Sequence, residues 1–374
     1  MTSCGVFSVK EPTHMRRVLL LGAGKIGKAI ATYLSTAGDY EVTACDVNEA
    51  NLSALAGVAR VKAMKLDVSS EQALAGAMKD QQAVLSALPY QFNKHVLPAT
   101  VSTGVSYFDL TEDVQHAETV RAAAAKAKPG QVYMPQCGLA PGFVGICAHH
   151  LAKGFEKLDE IKLRVGALPQ HPANALKYAL TWSTDGLINE YGQLGKAIVE
   201  GTQLTTLVPL EGYERFSFEG IEFEAFNTSG GVGDLCETYA GQVRNLDYKT
   251  MRYPGHRDLI AFLMKDLRLN EDRDTLKRIF ERAIPATEQD IVYIFNLVRG
   301  WKNGKYTQAT DLRKVYAGDF FGARSTAIQI TTAAGIMACL DLHFEGKLLK
   351  QGFVRQEDVN FDDFLANRFG RAYA

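Results

Sequence analysis

Three glycines and one acid near the start of the chain have the spacing of a nucleotide-binding loop. The apolar run Arg16–Leu21 leads into Gly22-Ala23-Gly24-Lys25-Ile26-Gly27, and Asp46 closes the next apolar run. Gly22 allows a tight turn from strand to helix, Gly24 lets the backbone approach a pyrophosphate, and Gly27 lets the helix pack on its strand. The helix predicted from Lys25 to about Thr36 directs its free N–H groups at the phosphates, so Lys25 and Ile26 also belong to the cofactor site.

Asp46 indicates which dinucleotide the loop binds. An acid at the end of the second strand accepts hydrogen bonds from the adenosine ribose and repels a 2′-phosphate. Neither Val47 nor Asn48 is the arginine expected for NADP, so the sequence favours NAD. The alternative is that Asp46 only caps a helix predicted over Asn48 to Ala56.

Two further segments lie where parallel strands are predicted to end. Ser86-Ala87-Leu88-Pro89-Tyr90 follows the fourth strand, so Leu88 and Pro89 are predicted to contact the cofactor. Tyr90 is a candidate proton donor or substrate clamp, or else an aromatic that packs over the cofactor. Asp67, after the third strand, is predicted to contact the adenine end or to cap a helix.

The fifth strand and the segment after the sixth add reactive groups. Asp109 and Glu112 are two carboxylates of which one could assist proton transfer, although Thr111 with its following acids also has the pattern of a helix cap. We take Asp109 as the catalytic candidate. Cys137 lies in the Gly- and Pro-rich hinge Gln136 to Gly142 and is either a substrate contact or a core residue.

The second half of the chain offers candidates for holding a substrate. Glu224 shares a strand face with Glu222, and the turn that contains Thr228 exposes backbone N–H groups able to hold a carboxylate. Arg252 could clamp a substrate carboxylate bidentately. For each of these residues a surface role is the alternative.

The elements that must position these residues follow two patterns. Up to Gly138, short apolar runs alternate with alanine-rich helical stretches, which predicts an α/β Rossmann domain with a doubly wound parallel sheet over residues 15–138. The predicted strands are Val18–Leu21, Val42–Cys45, Ala63–Leu66, Ala83–Ala87, Ser106–Leu110 and Val132–Pro135.

Residues 139–330 are predicted to form an α+β domain for substrate binding and dimerisation, with a largely antiparallel sheet. Alternating strands include Ile161–Val165 and Tyr178–Ser183, and hairpins are predicted at Glu219-Gly220 and Asn303-Gly304. An amphipathic helix is predicted around Leu276 to Ile284. Residues 331–374 form a helical segment that is expected to pack back on the Rossmann domain. We expect a homodimer or larger homo-oligomer.

Composition narrows the class of protein. The formal charge of −1 without a basic block argues against nucleic-acid binding. Six cysteines without CxxC or zinc spacing predict reduced thiols in a cytoplasmic protein with no metal. The apolar stretch Thr326 to Leu342 contains polar residues and is expected to be a buried helix rather than a membrane span. Residues 1–14 do not have the pattern of a signal peptide, and we expect a disordered leader or a true start at Met15.

Five sequence blocks resemble the saccharopine dehydrogenase-like family, and within it the L-lysine 6-dehydrogenases. The blocks are Leu20–Gly27, Cys137–Gly142, Ile161–Gln170 (IKLRVGALPQ), Glu224–Gly231 (EAFNTSGG) and Tyr248–His256 (YKTMRYPGH). Saccharopine reductases of this family usually read Gly-Leu-Asp-Pro-Gly at the hinge. This chain has Ala140 in place of the acid, which resembles the lysine version.

The resemblance implies NAD-dependent oxidation of the ε-amine of L-lysine, with hydride transfer from Cε and hydrolysis of the resulting imine. The neutral amine that this reaction needs costs roughly 4–5 kcal/mol at neutral pH, since the reference pKa of lysine is about 10.4. Tyr90 and Asp109 are the candidates for proton handling, and Glu224, Thr228 and Arg252 for holding the amino-acid end. The alternatives are an enzyme acting on a secondary amine, such as saccharopine or carboxynorspermidine, and a catalytically silent NAD-binding scaffold.

Overall fold

A computed structural model describes residues 15–374, apart from the side chains of Val114 and Thr205. The prediction for residues 1–14 lies outside the described part of the chain. The first half alternates strands and helices as the sequence predicts. Its strands are β1 (Arg16–Leu21), β2 (Tyr40–Asp46), β3 (Val61–Lys65), β4 (Ala83–Ser86), β5 (Ser106–Asp109) and β6 (Val132–Met134); its helices are α1 (Lys25–Ala37), α2 (Glu49–Ser53), α3 (Glu71–Met78), α4 (Asn93–Thr103) and α5 (Val114–Ala124).

These six strands form one parallel sheet in the order β6-β5-β4-β1-β2-β3. This is the strand order of a Rossmann domain, in which the chain reverses direction across the sheet between β1 and β4. The predicted doubly wound sheet is therefore confirmed. Because every strand runs the same way, the carboxyl ends of β1, β2, β4 and β5 meet at one edge, where ligands bind in such sheets.

The second half builds a mixed sheet and a small two-stranded one. The strands of the mixed sheet are β7 (Lys157–Pro169), β8 (Gly195–Val199), β9 (Thr202–Leu207), β10 (Glu214–Phe218), β11 (Ile221–Asn227), β12 (Asn245–Arg252), β13 (Asp290–Lys302) and β14 (Lys305–Tyr316); β15 (Gly318–Phe320) and β16 (Ala323–Ser325) form the two-stranded sheet. The helices around it are α6 (Phe143–Ala152), α7 (Thr184–Gly192), α8 (Leu235–Thr238), α9 (His256–Ala261) and α10 (Arg273–Ala283).

The main sheet runs β10-β11-β12-β7-β13-β14, with β8 and β9 attached beside β12. Only the pair β12 and β7 is parallel among these neighbours, so the predicted largely antiparallel sheet is confirmed. Both predicted hairpins are present, at Glu219-Gly220 between β10 and β11 and at Asn303-Gly304 between β13 and β14.

The strand predicted at Tyr178–Ser183 is absent, and the segment is irregular. Tyr178 to Thr181 are all buried, so the burial has no period of two. The backbone groups find other partners: the Tyr178 N–H donates to Asn174 Oδ1 at 3.2 Å, and the Leu180 N–H donates to the Pro285 carbonyl at 2.9 Å. These bonds replace a strand ladder.

A long central helix, α11 (Ala327–Phe344), joins the two halves. One hydrophobic cluster contains Leu20 of β1, Leu163 of β7 and Ala334 of α11, so the helix lies within a core common to both domains. By length and composition alone α11 could cross a membrane, but 78% of it is buried inside this fold. After it, β17 (Gly352–Phe353) pairs with β6, and α12 (Phe361–Ala366) packs on α6 and α11.

Candidate active site

A cleft of about 950 Å³ runs along the edge where the Rossmann strands end. Its first wall consists of the turns after β1, β2, β4 and β5, and its second wall is built from α7, β12 and α10. The cleft therefore joins the nucleotide-binding loop to the second domain, as a two-substrate enzyme requires.

The glycine loop has the shape that a pyrophosphate needs. A Cβ on Gly27 would lie 1.9 Å from the Gly22 carbonyl oxygen, so only glycine lets α1 pack this closely on β1. A Cβ on Gly24 would meet nothing within 4 Å, so the space beside that backbone is open to the cleft. Gly24 is also the N-cap residue of α1 and has no side chain to occupy the first N–H groups of the helix. These features fit the phosphates of a dinucleotide.

Asp46 is fixed at the carboxyl end of β2. Its Oδ2 accepts hydrogen bonds from the Ala23 N–H at 2.8 Å and from Asn51 Nδ2 at 3.0 Å, and its Oδ1 accepts one from the Asn48 N–H at 2.8 Å. The carboxylate thus connects the glycine loop to the start of α2 while it lines the cleft. Asn48, rather than Asp46, caps α2 with its side chain.

All nine cofactor candidates line the cleft: Gly22, Gly24, Lys25, Ile26, Gly27, Asp46, Asp67, Leu88 and Pro89. Tyr90 and Arg252 line it as well. Tyr90 begins a short 3-10 turn that follows β4 after Ala87-Leu88-Pro89, and Arg252 ends β12 on the opposite wall. Four other candidates, namely Asp109, Cys137, Glu224 and Thr228, are not among the residues that line the cleft.

Asp109 lies behind the residues that line the cleft, and its carboxylate connects several of the segments around it. Its carboxylate accepts hydrogen bonds from the Thr111 and Gln136 N–H groups at 3.0 Å each and from the Tyr107 hydroxyl at 2.9 Å, and His116 Nε2 lies 2.9 Å from it. The side chain is fully buried. The structure therefore places Asp109 in a buried hydrogen-bond network outside the cleft lining, and its role in proton transfer stays a prediction.

Cys137 and Thr228 also lie outside the set of residues that line the cleft. The Cys137 thiol donates to the Asp109 carbonyl at 3.1 Å, and burial raises its pKa well above the usual value, so it is a neutral core residue. Its predicted substrate contact stays a prediction. The Thr228 hydroxyl is 2.8 Å from that of Thr250, which lines the cleft, whereas Thr228 itself is not a lining residue, and its contact with substrate also stays a prediction.

Glu224 has a structural task. Its Oε2 accepts a hydrogen bond from the Gly255 N–H at 2.8 Å, and its Oε1 accepts one from the Arg257 N–H at 2.6 Å. These donors lie at the start of α9, and Glu224 is 1% exposed. Glu224 therefore fixes the backbone that follows Arg252, and its catalytic role stays a prediction.

Glu112 is the carboxylate of the β5 segment that faces the cleft. Burial raises its pKa to about 7, and the negative charges of Glu190, Asp113 and Asp109 add to this effect. A Cβ on Gly230 would lie 2.7 Å from Glu112 Cβ, so the Ser229–Gly231 turn of the second domain packs directly on this residue. A carboxyl group with a pKa near neutrality can exchange protons with a substrate.

Glu190 is the residue that sequence reasoning missed. It lies on α7, is 9% exposed, lines the cleft, and accepts a hydrogen bond from the Thr250 hydroxyl. Its Oε2 is 3.9 Å from Arg252 Nη2. A buried glutamate on a helix that begins with the Ser183 N-cap gives no local sequence signal beyond the amphipathic pattern, so only the fold shows that it meets Arg252.

Arg252 is held rigidly at the cleft wall. Its Nε donates to the Tyr191 hydroxyl at 2.8 Å, its Nη1 donates to the Met251 carbonyl at 2.8 Å, and its guanidinium lies 4.8 Å from the Tyr178 ring centre. The side chain is 3% exposed. A guanidinium fixed in this way can bind a carboxylate with little loss of side-chain entropy.

Comparison with known proteins agrees with this architecture. Residues 18–134 match the family model described as the saccharopine dehydrogenase NADP binding domain, and residues 138–369 match that of the saccharopine dehydrogenase C-terminal domain. The chain therefore belongs to the saccharopine dehydrogenase family, and its first domain is a nicotinamide dinucleotide-binding domain. The family resemblance seen in the sequence is confirmed.

Individual relatives place the chain within this family. A saccharopine dehydrogenase (NADP+, L-glutamate-forming) of Saccharomyces cerevisiae is 30% identical over 294 residues, which cover 73% of this chain and 62% of the relative. The mitochondrial alpha-aminoadipic semialdehyde synthase of Mus musculus is 23% identical over 74% of this chain and 31% of its own length. The chain thus spans less than two thirds of these curated relatives.

A solved structure shows the same fold. The apo saccharopine dehydrogenase (L-Glu forming) of Saccharomyces cerevisiae superposes with a TM-score of 0.76 at 19% identity, covering 93% of this chain and 95% of the other. At this identity the likeness establishes the arrangement of domains rather than the substrate.

Proposed function

We propose that the protein is an NAD-dependent dehydrogenase that oxidises the ε-amine of L-lysine. Hydride leaves Cε of the neutral amine, water replaces the nitrogen of the resulting imine, and the products are ammonia and an aldehyde that cyclises. The observation that carries the proposal is the placement of Glu112 and Arg252 in the cleft that also contains the glycine loop and Asp46.

The proposal for NAD rests on Asp46. The saccharopine dehydrogenases among the curated relatives are named for NADP+. In this chain the carboxylate of Asp46 is fixed where an adenosine ribose binds in Rossmann domains, and a 2′-phosphate there would meet its charge. The residue that follows, Val47, is exposed and apolar, so it offers the phosphate no positive charge. When bound, NAD supplies the hydride acceptor.

Glu112 is proposed as the group that takes a proton from the substrate ammonium. A protonated amine has no lone pair to support loss of hydride, so the proton must leave first. With the pKa of Glu112 at about 7, proton transfer from an amine of reference pKa about 10.4 is less unfavourable than transfer to an ordinary carboxylate by about 3 kcal/mol. Desolvation of the bound amine, which disfavours its charged form and lowers its pKa, supplies the remainder.

Arg252 and Tyr90 are proposed to orient the substrate. The Arg252 guanidinium binds the α-carboxylate, as the sequence suggested. Tyr90 follows β4 at the strand edge and serves as proton donor or substrate clamp. Thr228, Glu224 and Asp109 support this site without touching the substrate.

The second candidate is oxidation of a secondary amine such as saccharopine, which the names of the relatives favour. An absorbance assay for NADH and NADPH with lysine, ornithine, saccharopine and polyamines, at neutral and alkaline pH, tests both candidates. Turnover of lysine with NAD supports the proposal. Faster turnover of saccharopine establishes the second candidate, and a protein that binds NAD but oxidises no amine is the catalytically silent scaffold.

A further inference from the structure

The substrate half of the cleft contains more negative than positive side chains. Apart from the residues around the glycine loop and the ends of β2 and β3, the ionisable Asp, Glu, Lys and Arg side chains that line the cleft are Glu112, Asp185, Glu190, Arg252, Lys277 and Glu281. Four carboxylates against two cations leave a formal charge of −2, which becomes −1 when Glu112 is protonated.

Both cations are already balanced by carboxylates within the protein. Lys277 Nζ is 2.6 Å from Asp185 Oδ2, and Arg252 Nη2 is 3.9 Å from Glu190 Oε2. Glu112 and Glu281 are the two carboxylates outside these pairs, although Glu281 lies one turn from Lys277 on α10 and shares the attraction of that charge. A bound molecule therefore meets excess negative charge both inside the cleft and, because Glu281 is exposed, at its mouth.

Glu190, the acid beside Arg252, is held in place by hydrogen bonds and is not a mobile surface side chain. Glu190 accepts a hydrogen bond from Thr250, whose hydroxyl also lies 2.8 Å from that of Thr228. The Glu190 carbonyl accepts a hydrogen bond from the Ser229 N–H at 3.0 Å. Thr250 thus holds the carboxylate beside Arg252 and Ser229 holds its backbone, so a substrate cannot push Glu190 away at low cost.

We infer that Glu190 and Glu281 make the cleft selective for substrates that carry more amine than carboxylate charge. Lysine has one more amine than carboxylate and is attracted as a cation. Saccharopine has one more carboxylate than amine and is repelled, because Arg252 is the only guanidinium among the cleft-lining side chains of residues 15–374. The inference rests on the proposed function in that both place an amine substrate in this cleft.

Charge reversal at the mouth tests the inference. Glu281→Lys should weaken the binding of lysine roughly threefold to tenfold and strengthen that of saccharopine by a similar factor, as expected for a change of two charges at an exposed position that salt partly screens. Glu288→Lys, an exposed site outside the cleft lining, is the matched control and should change neither affinity. Both effects should shrink as salt concentration rises.

Binding should be measured by calorimetry on the NADH-loaded full chain, so that the result does not depend on turnover. Glu190→Gln provides a second test inside the cleft. Like Glu281→Lys, it should lower the preference for lysine over saccharopine, and thermal unfolding shows whether the variant is folded. The inference is overturned if the unmodified protein prefers saccharopine, if it binds neither amine, or if Glu281→Lys and Glu288→Lys behave alike. Selective binding of lysine without NADH formation would instead refute the proposed function and leave the charge selection intact.

Discussion

Replacing Glu112 by Gln should change the pH dependence of both catalysis and folding. In the unmodified protein, Glu112 works as a base only when ionised, so turnover should rise with pH through about 7. Glu112→Gln should remove this limb of the pH profile and lower kcat by roughly a hundredfold to ten-thousandfold, the usual contribution of a general base. Stopped-flow or steady-state NADH absorbance from pH 5 to 10 measures both effects.

The effect on stability has the opposite sign. The pKa of Glu112 is raised in the folded protein from 4.5 to about 7, so the folded state favours the protonated form. The ionised carboxylate therefore destabilises the fold; this cost is absent below about pH 4.5, grows up to about pH 7 and is constant above it. It amounts to at most about 3 kcal/mol. Glu112→Gln should thus be more stable than the unmodified protein at pH 8 and nearly equal to it at pH 4.5.

Glu118→Gln is the matched control, because Glu118 is an exposed acid on α5, close in sequence to Glu112. It should change neither the pH profile of kcat nor the pH dependence of unfolding. If Glu112→Gln keeps the limb near pH 7, Glu112 is not the base. If its unfolding free energy relative to the unmodified protein does not vary with pH, the carboxylate is not held in a desolvated position.

Further variants test the rest of the site. Asp46→Ser combined with Val47→Arg should shift the preference from NAD towards NADP, as measured by the ratio of kcat/KM values for the two cofactors; an unchanged ratio would show that Asp46 does not choose the cofactor. Gly24→Ala should fold normally but lose NADH affinity in fluorescence titrations, because its Cβ would enter only the open cleft. Gly27→Ala should lose thermal stability as well, because its Cβ would clash with the backbone. Equal thermal stability of the two variants would contradict this difference. Glu224→Gln should cost about 1–3 kcal/mol of unfolding free energy in urea titrations while leaving NADH affinity unchanged, since its carboxylate binds the N–H groups at the start of α9; an unaltered midpoint would refute that role.

Sequence reasoning was most successful where local spacing dictates backbone geometry. Glycines at 22, 24 and 27 after an apolar strand permit only a tight strand-to-helix turn, and an acid at the end of the following strand then lies beside it. Local spacing also predicted the position of Tyr90, because the segment after β4 lies at the ligand-binding edge of a parallel sheet. Arg252 was found because the segment Tyr248–His256 concentrates cationic and aromatic residues before a helix.

Local spacing could not decide which carboxylate faces the cleft. Asp109 ends β5 and Glu112 lies three positions later, and the choice depends on the backbone N–H groups of Thr111 and Gln136 that bind Asp109. For the same reason Glu224, which alternation placed on a face with Glu222, is instead used by the start of α9. Hydrogen bonds from segments distant in sequence fixed both outcomes.

The amino-acid sequence by itself determined the dinucleotide loop, the parallel sheet and the carboxylate beside the ribose position, because these depend on residues within one βαβ unit. Only the tertiary structure brought Glu190 of α7 to Arg252 of β12 and set both against Glu112 from the other domain. The raised pKa of Glu112 has the same origin, since burial and neighbouring charges that shift a proton equilibrium arise only when separate parts of the chain pack together.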